Sequence, residues 1–484
     1  MKNELVKHLK AYERLKLIRI WHDKEIRPGD KFDEKIDKHL ESSEIILLLI
    51  SKDFIYSDYC CNIEMKRALK KDELNESCVI PVLLKSVDWR GQPFGNLQVL
   101  PENSKPVQNW KTHDNAYDNI AQGIRKKIDL LMDMKKSVNK ADPDITVDIN
   151  EHGDYSSISQ AVAEAKPGDC IHVKKGLYKE TIIIDKPLTI IGEGRRDEIE
   201  IRTDNNSTII FNAADGTIKN LKLRLASKPD NFRRERSSCI DIRSGRLNLE
   251  ECDISSESDA GIIIHNDADP ILQKNQISNC RRVGVLIMDE GRGQLKENSL
   301  SRNSISIVMR DNSEPTLIHN SIQENKNGGV IIGGKCCGLL EKNNISNNLG
   351  VGVSIEGKSK ATLIYNDICG NRGEIYVLSR DTPKIIEKNR IHNSRLSGIV
   401  LWFGAKCIIE DNDIYNNRYN GIEVYKDSDP VLRCNKINRN EMRGIRIFDG
   451  GFGTYESNNL RHNNCGGLKL PRDASRIKLS ANGL

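Results

Sequence analysis

The chain has 484 residues, 37% of them hydrophobic and 30% charged, with a formal net charge of +5. That length allows two or three domains and a sizeable core. The near balance of charge, without a dense basic stripe, argues against an electrostatic nucleic-acid footprint. No stretch approaches the ~18 apolar residues of a membrane span, and the opening MKNELVKHLK lacks the apolar segment of a secretory signal. Thirteen cysteines occur without CxxC pairs, Cys60-Cys61 and Cys336-Cys337 being merely adjacent. The expectation is a cytoplasmic protein with reduced thiols, no disulfide framework and no metal site.

Residues 1–134 alternate helical and strand signals. Leu5, Leu9 and Tyr12 mark one face of a first helix, LIRIW (17–21) reads as a strand, and Phe32, Ile36 and Leu40 mark a second helix. IILLLIS (45–51) is an uninterrupted apolar run, as expected of a strand buried on both faces. A helix around 58–71, a strand at CVIPVLL (78–84) and a short strand near KPVQ (105–108) follow. The last helix carries Tyr117, Ile120, Ala121, Ile124, Ile128 and Leu131 on one stripe. This alternation implies a parallel sheet flanked by helices. The polar segment KKSVNKADPD, containing Pro143, reads as a linker over 135–145.

The pattern then changes. GDYSSISQAVAEAKPGD (153–169) reads as a capped amphipathic helix with Ile158, Ala161, Val162 and Ala165 inward, and short β-rich segments (CIHV, TIIID, LTIIG) follow. From Asn275 an Asn-x-Ile/Leu motif recurs at Asn298, Asn320, Asn343, Asn366, Asn389, Asn412, Asn435 and Asn458, in steps of 23 with a single step of 22. Asn recurs at the fifth position after it in most copies, and a glycine such as Gly284, Gly329, Gly352 or Gly421 stands at the ninth. Such a period means a solenoid, each coil holding three short strands, over the segment 146–484. Asn suits the turns because it tolerates the left-handed conformation, and stacked amides can hydrogen-bond from coil to coil. Gly is expected to supply the other turn.

DYSSISQAVAEAKPGDCIHVKKGLYKETIIIDKPLTIIGEG and the repeating copies resemble the right-handed parallel β-helix of the pectin-lyase-like superfamily. Residues 1–134 resemble a bacterial-type TIR (Toll/interleukin-1 receptor) domain of α/β, flavodoxin-like fold. IWHDKEIRPGDKFDEKID matches that family's second strand and its BB loop, IILLLISKDFIYSDYCCNIEMKRAL its third strand and the helix bearing its functional glutamate, and VIPVLLKSVDW and LPENSKPVQNW its fourth and fifth strands with their flanks. The family's opening strand has no counterpart here, so the domain is expected to be N-terminally incomplete.

The TIR resemblance implies chemistry. Many such domains cleave the nicotinamide–ribose bond of NAD+, a carboxylate stabilising the oxocarbenium-like charge that develops. The motif match puts that carboxylate at Glu64, although Cys60 stands where family members often carry Trp. Trp21, His22 and Asp23 are the candidate nucleotide contacts, and Ile26, Pro28 and Gly29 of the BB loop the candidates for pairing with other TIR domains. NAD+ enters as substrate, and no cofactor is implied. Two classes of function stand against each other: an effector hydrolysing NAD+ when its β-helices are gathered by a ligand, and a non-catalytic adaptor. A carbohydrate-binding or polysaccharide-processing β-helix is a third reading, weakened by the lack of an evident carboxylate cluster with a basic partner on one face.

Within each coil, alternation sends the first and third positions after the glycine inward. These are apolar: Ile262/Ile264, Val285/Ile287, Val330/Ile332, Ile422/Val424, Ile445/Ile447. The outward positions include an apolar column from Ile263 and Leu286 onward, which suggests a covered face. In the last coils Trp402, Tyr425 and Phe448 recur one period apart beside Glu423 and Arg446. They are expected to form an aromatic ladder suited to sugar rings or a protein partner.

Overall fold

The structure, a computed structural model, describes residues 2–15, 17–22, 36, 39–40, 42–55, 65–73, 77–138, 144–226, 237–378 and 384–483. They form two compact units, Met1–Ala141 and Asp142–Leu484.

In the first unit, strands Ile45–Ile50 and Cys78–Leu83 pair in parallel with Leu47 opposite Ile80. Alternation divides their side chains between two cores. Leu47, Leu49, Ile80 and Val82 pack with Leu5 and Leu9 of helix Lys2–Arg14 and with Tyr117, Ile120 and Ile124 of helix His113–Val138. Leu48, Ile50, Val79 and Leu83 pack with Met65, Ala68 and Phe94. An apolar run without alternation is what a strand packed on both faces requires.

Two expected strands do not form. Leu17, Ile18 and Ile20 tuck their side chains against the first core, but the segment 17–22 carries no ladder. The Ile20 N–H instead donates to Glu13 Oε1 at 3.2 Å. Around KPVQ the chain makes a 3₁₀ turn, Val107–Asn109, that buries Val107; Pro106 has no N–H to offer a ladder. The parallel bridge to Val82 comes from Leu100. The last helix also runs through positions 135–138, into the segment read as a linker, where no Gly or Pro stops it.

The second unit opens with helix Ile158–Glu164, whose cap Ser157 accepts from the Gln160 N–H. Ile158, Ala161 and Val162 are buried against the first coil. The helix is shorter than the 153–169 stretch read as helical, since Ser157 starts it and the chain turns away before Pro167-Gly168. Among the described residues, three sheets of fifteen, twelve and thirteen strands follow, every pairing parallel. The inward pairs Ile262/Ile264, Val285/Ile287, Val330/Ile332, Ile422/Val424 and Ile445/Ile447 are at most 2% exposed. Outward Ile263 and Leu286 are shielded sideways by Ala260, Val283, Met288 and Val308.

The asparagines form a buried ladder. Asn343 Nδ2 donates to Leu317 O (2.9 Å) and Asn366 Oδ1 (3.0 Å), while its own Oδ1 accepts from the Asn320 N–H (2.9 Å) and Nδ2 (3.0 Å). The same pattern runs from Asn275 to Asn482. The reason for Asn differs from the one expected. The left-handed residue at this corner is the one before it: Lys274, Glu297, His319, Lys342, Tyr365, Lys388, Asp411, Cys434 and Ser457, at φ 53–56°. Asn is needed for an inward amide that donates and accepts at once. The recurrent glycines do not make turns either. Gly284, Gly329 and Gly352 lie within strands, and a Cβ on Gly421 would stand 2.6 Å from Gly444 O and 3.0 Å from Asn440 Nδ2 of the next coil.

Two of the repeating coils depart from the glycine rule, with Ser306 opposite Gly284 in one and Glu374 in the other. Glu374 occupies the column, opposite Gly352 in register, and is fully buried. The second Asn column is interrupted in the following coil by Ser394, which is shorter and leaves room. Asn371 therefore donates its N–H to Glu374 Oε1 (3.1 Å) and its Nδ2 to Oε2, the carboxyl taking the place of the missing amide oxygen. The ladder resumes with the Ser394 N–H on Asn417 Oδ1 at 3.0 Å.

Candidate functional site

The aromatic ladder stands on the thirteen-stranded sheet. Strands Ile399–Trp402, Ile422–Val424 and Ile445–Ile447 pair with Val400, Glu423 and Arg446 in register. Each ends where the coil turns, which sends Trp402, Tyr425 and Phe448 outward one above the next. Trp402 stacks on Tyr425 with centroids 4.7 Å apart, and Tyr425 on Phe448 at 4.2 Å. Arg446 lies over the Phe448 ring at 4.3 Å, close enough for a cation–π contact. Glu423 works from beneath: it accepts from Ser397 Oγ (2.7 Å), Asn420 Nδ2 (2.7 Å) and Tyr425 Oη (3.0 Å). Burial and the Glu423 carboxylate push the Tyr425 phenol up to about 12, so it stays a neutral donor. Glu423 thus fixes the Tyr425 ring.

Phe403, which the periodicity did not single out, completes this face. It stacks beside Trp402 at 5.5 Å, and both are exposed, at 55% and 44%. Its φ is +55°, at a corner where other coils place Asn266, Asp289, Asp311, Gly334 or Gly357. A bulky residue held there costs roughly 1–2 kcal/mol.

A second constellation lies on the twelve-stranded sheet. Asp367 Oδ1 is 2.8 Å from His392 Nε2, and Arg390 Nη1 is 3.2 Å from Asp367 Oδ2. Arg390 also donates to Tyr415 Oη at 3.0 Å, and the His392 ring stacks on Tyr415 at 4.6 Å. The hydrogen bond with His392, reinforced by Arg390, holds the Asp367 carboxyl below its ordinary value. Beside it Asp413, Tyr415, Lys436, Asn438, Arg439, Asn459, Arg461 and His462 line a cleft of about 280 Å³. One carboxylate with basic partners is therefore present on this face, short of the carboxylate cluster sought in the sequence.

In the first unit, Trp21 stacks on His39 with centroids 4.0 Å apart, and His22 follows it within the irregular segment. Asp23, Ile26, Pro28, Gly29 and Glu64 lie outside the described residues.

Comparison with known proteins assigns the two units. Residues 2–122 match the family described as TIR domain, and residues 329–483 the right handed beta helix region. The chain is a TIR domain followed by a right-handed β-helix. Residues 195–379 of the β-helix also match a family described as periplasmic copper-binding protein (NosD). The uncharacterized protein y4lF of Sinorhizobium fredii is 40% identical over 126 residues, which cover 26% of this chain and only 39% of that relative's length. Among solved structures, the periplasmic alginate epimerase AlgG is similar with a TM-score of 0.46 and 15% identity, over 71% of this chain and 84% of that one. The mannuronan C-5 epimerase AlgE4 A-module of Azotobacter vinelandii has a TM-score of 0.45 and 12% identity, over 66% and 93%. Among the described residues, no helix is long and apolar enough to cross a membrane.

In the β-helix, a signal for the second constellation existed in the sequence. Asp367, Arg390, Asp413 and Lys436 follow one another one period apart with alternating charge, and His392 and Tyr415 stand one period apart as well. Neighbouring coils turn those steps into register pairs.

Proposed function

We propose that this protein is a TIR effector whose β-helix binds a glycan or protein ligand on the Trp402–Tyr425–Phe448 face. Ligand binding gathers TIR domains, which pair through Ile26, Pro28 and Gly29, and the TIR half then cleaves NAD+. In this reading Glu64 stabilises the charge developing on the ribose, with Trp21, His22 and Asp23 against the nucleotide, and the protein works in the cytoplasm. The observation that carries it is the stack of outward rings Trp402, Tyr425 and Phe448, extended by Phe403, which is 55% exposed. The test is Trp402→Ala with Tyr425→Ala, assayed on glycan arrays and by sedimentation. Unchanged glycan binding and unchanged self-association would reject the face. Nicotinamide release by the parent and by Glu64→Ala, with the protein free and crosslinked, decides the chemistry. Equal turnover sinks the assignment of Glu64, and no turnover in either favours a non-catalytic adaptor.

A second reading, a polysaccharide-processing β-helix, is favoured by the Asp367–His392 pair with Arg390 and Tyr415 beside the basic cleft. It requires turnover of an acidic polysaccharide that His392→Ala abolishes.

A further inference from the structure

Among the described residues, two groups of Asp, Cys and His bring their donor atoms together: Asp144, Cys170 and His172, and Asp367, Cys369 and His392. Their geometries differ. In the second group the Asp367 and His392 donor atoms are 2.8 Å apart, a closed hydrogen bond, and the Arg390 guanidinium sits 3.2 Å from the other carboxylate oxygen. Both oxygens of the Asp367 carboxylate are thus already paired within the protein.

The first group is built otherwise. Strands Ile145–Val147 and Cys170–Val173 pair with Ile145 opposite Ile171, so Ile171 and Val173 point into the core while Asp144, Cys170 and His172 share the outer face. His172 Nε2 is 3.3 Å from Cys170 Sγ and 3.3 Å from Asp144 Oδ1. Tetrahedral zinc with bonds of about 2.0–2.3 Å separates neighbouring N, S and O ligands by about 3.4–3.6 Å. These atoms therefore stand close to ligand spacing, at the long end of hydrogen-bond length for N and O. On the far side of the ring, Glu193 Oε1 lies 2.8 Å from His172 Nδ1, an ion-pair contact whose angle is not that of an aligned hydrogen bond. A carboxylate on the second nitrogen is the usual way a ligating imidazole is held with its other nitrogen free for a metal. Asp144 and Glu193 bring two negative charges, and Lys174, paired with Glu193, offsets one.

We propose that Asp144, Cys170 and His172 bind one zinc-like divalent transition metal, with Glu193 as the positioning residue for His172. The ligands come from successive coils, so the metal fastens Asp144, which precedes the first strand, to the coil beneath it. The ligand spacing escapes a search for CxxC pairs because the solenoid, rather than a local loop, assembles the donors. The site lies before the 195–379 segment and owes nothing to that likeness.

The test uses the full chain, reduced and stripped with chelator, titrated with Co²⁺ and then displaced with Zn²⁺. One tight equivalent with a thiolate-to-cobalt charge-transfer band is expected in the parent and in Cys369→Ser, and its loss in Cys170→Ser. Glu193→Gln, which leaves all three ligands in place, is expected to weaken binding about 10–100-fold. Far-UV circular dichroism verifies the β-helix in each variant. No tight equivalent in the parent, one that survives Cys170→Ser, one lost in Cys369→Ser, or affinity unmoved by Glu193→Gln in folded protein overturns the site.

Discussion

Glu374 makes the β-helix pH-sensitive in a direction opposite to that of a salt-bridged acid. Burial pushes its carboxyl from 4.5 up to about 8, against the two Asn371 donors that favour the charged form. The folded chain therefore keeps a proton that the unfolded chain releases near 4.5. Between these values unfolding releases a proton, so stability falls as pH rises from about 4.5 to 8 and is level above that. At about 1.36 kcal/mol per pH unit of displacement, the full effect is about 5 kcal/mol. Glu374→Gln keeps the size and one acceptor oxygen but cannot ionise. The assay is the urea midpoint of the β-helix transition for parent and variant from about pH 5 to 8.5, spanning the window that linkage defines. The difference between the two curves isolates this residue from every other titrating group. The parent is expected to lose several kcal/mol relative to Glu374→Gln across that range. Parallel curves would refute the reasoning, and would mean that the Asn371 N–H groups hold the carboxylate ionised in the folded chain.

Other outcomes follow from the same geometry. Asn343→Ala orphans the Leu317 carbonyl and the Asn320 N–H in the core and should cost about 2–6 kcal/mol in denaturant unfolding, at about 1–3 kcal/mol for each buried orphan. Gly421→Ala, whose Cβ would meet Ile437 Cγ2 at 2.4 Å and Gly444 O at 2.6 Å, should cost about 1–3 kcal/mol by overpacking. Phe403→Asn should raise the melting temperature, by relieving roughly 1 kcal/mol of left-handed strain, while weakening ligand binding to the aromatic face; a gain in stability without loss of binding would show Phe403 to be idle there. Limited proteolysis should release a resistant fragment whose N-terminus lies near positions 135–145.

How much was legible in the sequence follows from how each unit uses it. In the β-helix one period of sequence becomes one step between stacked strands, ~4.8 Å. Side chains one period apart therefore touch, and the inward pairs, the Asn column and the Trp402–Tyr425–Phe448 ladder could be read directly. Composition and period alone settled that a solenoid follows an α/β unit. Tertiary structure decided what depends on the neighbouring coil rather than on the period. It put the left-handed conformation on the residue before each Asn, because the amide must point inward to meet two carbonyl oxygens. It gave the glycines their reason, the next coil's carbonyl, and let Glu374 stand among them because Ser394 leaves an amide's worth of room. It joined Asp144 to Cys170 and His172, and Asp367 to His392, through contacts that no local spacing records. In the TIR unit it left LIRIW without a ladder, since an apolar strand-like sequence fixes which side chains are buried but a strand also needs a partner for its N–H groups, and Glu13 supplied one for Ile20 instead.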